Sequence, residues 1–153
     1  MMEFLQKIVS NDIINIGAIS FIAAQLLKII IVAFTSKKMD FSRVLGAGGM
    51  PSSHSALVVG ASFAILRLEG FGSPLFALSV IVALVIMYDA AGVRKAAGDQ
   101  AKILNHLVNE WGTLNSTQIT SDLKELLGHT KLEVYAGALL GAVVSFTYFF
   151  IKY

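Results

Sequence analysis

Of 153 residues, 56% are apolar and only 14% charged, and the mean hydropathy of +0.72 lies far from soluble-domain averages. The net charge of +2, with no basic run carrying interleaved aromatics, gives no sign of a nucleic-acid partner. The chain has no cysteine, which excludes disulfides, thiolate metal sites and cysteine nucleophiles.

A helix needs roughly 20 apolar residues to cross the hydrocarbon core. The first such stretch, Ile13–Phe34, is too long for a cleaved signal and carries Lys28 inside it, so it reads as a membrane span. Ser55–Leu68 is shorter but uninterrupted, and its Gly and Ala content suits close helix packing. Pro74–Tyr88, extended into Ala91, and Leu132–Ile151 complete a set of four predicted spans. None shows strand-like alternation. Between the last two, Arg94 to Trp111 places Ala97, Ala101, Leu104, Leu107, Val108 and Trp111 on one stripe. Lys95, Asp99, Lys102, His106 and Asn109 fall opposite, the pattern of a helix lying in the membrane interface. After the turn-rich Asn115-Ser116-Thr117, a short helix is expected between Asp122 as its cap and Gly128 as its stop. The fold class is therefore all-α, a polytopic helical membrane protein of about four spans plus one interfacial helix. No repeat or low-complexity tract divides the chain, so residues 1–153 read as a single domain.

Lys37, Lys38 and Arg43 lie between spans one and two. Arg94, Lys95, Lys102, Lys124 and Lys131 lie between spans three and four, whereas Lys7, Arg67 and Lys152 fall on the other side. The positive-inside rule puts both large loops in the cytoplasm, in a multi-pass protein of the cell membrane.

Two short stretches could carry chemistry. Gly48-Gly49-Met50-Pro51-Ser52-Ser53-His54-Ser55 combines glycines, which permit close backbone approach, with a helix start whose N–H groups suit an anion. A capped membrane helix with an incidental His54 would explain it equally well. In Gly128-His129-Thr130-Lys131-Leu132-Glu133 the histidine and the carboxylate are four apart and share a helix face. A capping box between Thr130 and Glu133 accounts for part of that pattern without any catalysis. Together the stretches say more, because both histidines stand at helix mouths on one predicted side. One imidazole can attack phosphorus while the other protonates the leaving oxygen.

Pro51-Ser52-Ser53-His54 resembles the Pro-Ser-Gly-His motif of the type 2 phosphatidic acid phosphatase superfamily, which also contains the vanadium haloperoxidases. His129 through Gly141 resembles the end of that family's third motif. Gly-Gly-Met-Pro-Ser-Ser-His, then Gly-Val-Arg at Arg94, then Gly-His-Thr-x-x-Glu-Val is similar to its divergent, smaller branch, over Gly48 to Gly141. The resemblance implies His129 as the nucleophile that forms a phosphohistidine, Glu133 as the group that orients it, and His54 as the general acid. Ser52 and the Ser53 backbone N–H would cradle the phosphate. Three departures stand out. Ser53 replaces a glycine, Leu123 stands where the family has an arginine, and the first motif (Lys, six residues, Arg-Pro) is absent.

Lys28, Arg43, Lys124 and Arg94 are candidates for the missing cationic role. Lys28 has Gln25 one turn away, and a lysine within a span is costly unless it faces a partner or a polar cavity; snorkelling toward the interface is its alternative. Arg94 would give bidentate phosphate contacts, with Asp89 holding it. His106 reads as a solvated residue of the interfacial helix. No clustered His/Asp/Glu set suggests a metal, and no cofactor is implied. The expected function is metal-independent hydrolysis of a lipid-linked phosphomonoester or pyrophosphate on the cytoplasmic side, with membrane lipids and a lipid phosphate substrate as partners. Two alternatives stand beside it: a catalytically inactive relative that binds lipid phosphate or a membrane partner, and a small transporter or channel subunit. Four spans are few beside the six helices usual in that superfamily, which leaves room for a homodimer.

Overall fold

The computed structural model describes residues 2–35, 49–112 and 128–153, and these form six helices. They are α1 (Met2–Val9), α2 (Asp12–Thr35), α3 (Ser53–Glu69), α4 (Pro74–Ala91), α5 (Val93–Gly112) and α6 (Lys131–Lys152). Among the described residues there is no strand, as expected where backbone groups must be satisfied within each segment. The expected helix between Asp122 and Gly128, together with Arg43 and Lys124, lies outside the described residues.

Three stretches are long and apolar enough to cross a membrane: Asp12–Phe34, Pro74–Leu107 and Lys131–Lys152. The fourth expected span, α3, has 17 residues and a length of about 25 Å, short of a hydrocarbon core of about 30 Å. Its composition follows from its position. It packs against α2, α4 and α6, and its inward positions are Ser53, Ser55, Ala56, Gly60, Ser62, Ala64 and Ile65, all small but the last. Small residues there allow close approach and lower the hydropathy.

The contacts set the directions of the helices. Ser52 lies against Gly137, and Ala56 against Gly141, while Ala64 clusters with Phe149; α3 and α6 are therefore parallel. Lys28 lies beside Gly49 and Gly17 beside Leu57 and Ala61, so α2 runs the other way. The Ser62 hydroxyl donates to the Val58 and Ser79 carbonyls (2.8 and 3.2 Å), tying α3 to the antiparallel α4. The starts of α3 and α6 consequently share one end of the bundle with the finishes of α2 and α4.

The α6 face turned inward is Val134, Gly137, Gly141, Ser145 and Phe149, a stripe at helical spacing. A Cβ at Gly137 would stand 2.2 Å from the Ser52 carbonyl oxygen, and one at Gly141 would stand 2.3 Å from that of Ala56. No larger residue fits without separating the helices. Gly92 interrupts the α4–α5 run with φ −110° and ψ −80°. Beyond it α5 touches only α4 among the described elements and leaves Ile103, Leu104 and Leu107 exposed, which suits a helix resting in the headgroup layer.

Candidate functional site

The start of α6 is built around Glu133. Thr130 is the N-cap, and its side chain accepts from the Glu133 N–H at 3.3 Å. The Thr130 N–H donates to Glu133 Oε2 at 3.0 Å, closing the reciprocal capping box. The same Oε2 lies 3.0 Å from His129 Nδ1. An ionised carboxylate only accepts, so Nδ1 is the donor of this bond, and in the neutral ring Nε2 keeps the lone pair. The His129 backbone N–H donates to the Ala90 carbonyl at 3.1 Å, which fixes this residue to the last turn of α4. Its side chain is 3% exposed. The capping box and the imidazole contact thus coexist on one carboxylate.

At the start of α3, Ser52 is the N-cap, and its Oγ accepts from the Ser55 N–H (3.4 Å) and the Ser55 hydroxyl (3.0 Å). The Ser52 N–H donates to the Glu133 carbonyl at 2.9 Å. This one bond joins the two motif-bearing stretches through residues 81 positions apart in sequence. The Ser52 side chain is fully buried and engaged within the protein, so of the expected cradle pair only the Ser53 N–H remains at the helix start, where backbone donors lack intrahelical acceptors. The Ser53 side chain is itself buried. His54 sits in the first turn of α3, exposed, with its ring edge-on to Phe21 of α2 at 6.4 Å between centroids.

Lys28 reaches this end from α2 and does not snorkel: it is 2% exposed. Its side-chain methylenes run 3.4 to 3.7 Å from where a Gly49 Cβ would lie, and Gly49 has φ +94°. Both the space and the backbone conformation there call for glycine. Glu133 is the carboxylate whose charge acts on Lys28. Nearby in sequence, Gln25 is partly enclosed and its Oε1 has no hydrogen-bond partner among the described residues.

The structure therefore gathers His129, Glu133, Ser52 and Lys28 at one end of the bundle, with Ser53 and His54 in the first turn of α3. Asp89 occupies the last turn of α4, one residue before Ala90. Arg94 is the second residue of α5, just beyond the Gly92 break, and only its backbone is among the described parts. His106 lies farther along α5 on an exposed face. Among the described residues no three His, Asp or Glu side chains gather as a metal site. Sequence reasoning did not find the Ser52–Glu133 backbone bond, the Ala90 anchor of His129 or the packing of Lys28 on Gly49. The small residues spaced four apart at Gly137 and Gly141 were the available signal for the close α3–α6 approach.

The sequence pattern described as the Divergent PAP2 family matches residues 9–144. The chain is also 40% identical over 148 residues to a protein of Bacillus subtilis (strain 168) named "Uncharacterized membrane protein YuiD", covering 89% of this chain and 92% of that one. No solved structure matches.

Proposed function

Since the chain belongs to the Divergent PAP2 family, an all-α family of membrane proteins in this instance, we propose that it hydrolyses a phosphomonoester or pyrophosphate carried on a lipid. The observation that carries this reading is the Ser52–Glu133 backbone bond beside the His129–Glu133 contact, since together they support one pocket shared by the two helix starts. His129 Nε2 attacks phosphorus and a P–N bond forms as the P–O bond to the leaving group breaks. His54 gives its proton to the departing oxygen. Water then attacks the phosphohistidine, His54 takes the proton, and inorganic phosphate leaves with His129 restored. Glu133 holds the Nδ1 proton throughout. Phosphoryl transfer depends mainly on positioning and charge, and here Lys28 supplies the buried cation, with the Ser53 N–H and Arg94 as further phosphate donors. Arg43 and Lys124 complete the cationic set that this reading draws on, and Asp89 is the group that would orient Arg94. On the positive-inside reading of the basic loops the pocket faces the cytoplasm and meets lipid headgroups.

The test is release of inorganic phosphate from a panel of phosphorylated lipids by the purified protein, with vanadate as inhibitor. His129→Ala is expected to lower turnover by about 10³-fold or more with the fold intact. Equal phosphate release by wild type and His129→Ala ends this mechanism. A second reading, a lipid-phosphate-binding protein without turnover, is favoured by the internal engagement of Ser52 and the near-complete enclosure of His129. Vanadate binding with no turnover of any lipid would select it.

A further inference from the structure

The end of the bundle away from His129 carries a cavity of about 690 Å³ between the last turns of α3 and α6. Phe63, Leu66, Phe146 and Phe150 wall it, with Arg67 and Tyr153 beside them. Exposed phenylalanines are ordinary on a surface that faces lipid tails, and a cation in the last turn of a helix is favoured by the helix dipole. The combination is less ordinary. The space is concave and within the size range of small-molecule sites, and its one guanidinium has no carboxylate partner among the described residues. Lys152, at the finish of α6, is already held by Asp12.

We propose that this groove is a binding site for one glycerophospholipid, with an acyl chain between the aromatic walls and the phosphodiester on Arg67. A guanidinium at a helix end reaches headgroup depth and matches phosphate oxygens bidentately. Phenylalanine walls suit a flexible chain. A second copy of this protein would instead need small residues for close helix approach, and those face inward, at Gly60, Gly137 and Gly141. The site is separate from the His129 pocket and does not depend on its chemistry.

Native mass spectrometry of the full chain purified in mild detergent tests this by titration with phosphatidylglycerol and, in parallel, diacylglycerol, which lacks the phosphate. The expected result is saturation at one phosphatidylglycerol per chain, with binding about tenfold tighter than that of diacylglycerol. Arg67→Gln should bring phosphatidylglycerol down to the diacylglycerol level, Arg67→Lys should restore part of the difference, and Phe150→Ala should weaken both lipids. Arg67 and Phe150 are exposed, so these variants should elute and melt like wild type. Four results would overturn the proposal: equal binding by Arg67→Gln, lipid uptake without saturation, a lipid-free dimer lost in Phe150→Ala, or binding that survives Arg67→Gln but disappears in Lys28→Met. The last would put the lipid in the His129 pocket.

Discussion

Where α2 begins and α6 finishes, Asp12 collects the Lys152 ammonium and the Tyr148 hydroxyl (2.9 Å), with the Tyr153 hydroxyl at 3.5 Å. The same ammonium lies 5.6 and 5.4 Å from the Tyr148 and Tyr153 ring centroids. At the other end Lys28 and His129 are more deeply enclosed, and Glu133 is shared among a helix cap, an imidazole and a lysine charge. The first arrangement closes on itself: a carboxylate, a cation and two phenols bind one another and have little left to offer. The second encloses an imidazole and a lysine at the end of the bundle where Glu133 contacts the one and acts by charge on the other, a costly combination that a structural clamp does not require. The two ends thus differ in kind: one is a closed polar tie between helices, and the other is the one the proposed phosphate chemistry draws on.

Four substitutions would break or sharpen that contrast. The largest effect is expected for Gly137→Leu, which drives a side chain into the Ser52 backbone where even a Cβ would be at 2.2 Å. A loss of about 3 kcal/mol or more, or failure to obtain monodisperse protein, should appear in detergent melting and size-exclusion profiles. Lys28→Met separates charge from packing. Replacing a buried ion with an apolar residue of similar shape is often neutral for stability, while phosphate release should fall about 10²-fold. Retained activity with a strongly lowered melting temperature would make Lys28 a structural residue instead.

Thr130→Ala removes the acceptor for the Glu133 N–H and should cost about 1 kcal/mol, with Thr130→Ser restoring it. Its effect on turnover should be smaller than that of Lys28→Met, because Glu133 keeps its contact with His129. Asp12→Asn should do least: a slightly lower melting temperature and unchanged phosphate release. A large loss of activity in Asp12→Asn would show that the two ends are not independent.

The helices were largely legible because hydropathy and length are local properties. Pro74–Ala91 and Val93–Gly112 match the expected Pro74–Ala91 and Arg94–Trp111, and the remaining three lie within two residues of their predicted bounds. The His129–Glu133 contact was expected from helical spacing, but His129 precedes the Thr130 cap, so the imidazole meets Glu133 from just outside α6. The α1 helix, eight residues ahead of the Asn11 turn, was not foreseen, since a segment of about two turns is well below the length at which an isolated helix is stable. The hydrogen bond from Ser52 to Glu133 and the seat of Lys28 against Gly49 were also invisible. Each joins positions far apart in the chain through backbone atoms or a glycine's missing side chain, and neither leaves a pattern in residue types. The shortness of α3 could have been weighed differently: its Gly, Ser and Ala content marks a helix surrounded by helices, not by lipid.

One oxygen atom, Glu133 Oε2, both closes the cap of α6 and holds His129. Thermal tolerance and catalytic competence would therefore be subject to selection through the same atom. Changes at positions 129, 130 and 133 should be strongly non-additive in double-mutant cycles, and lineages adapting to hotter or colder membranes would have to alter these residues jointly or leave them alone. A shorter carboxylate at 133 would have to abandon one of its two duties.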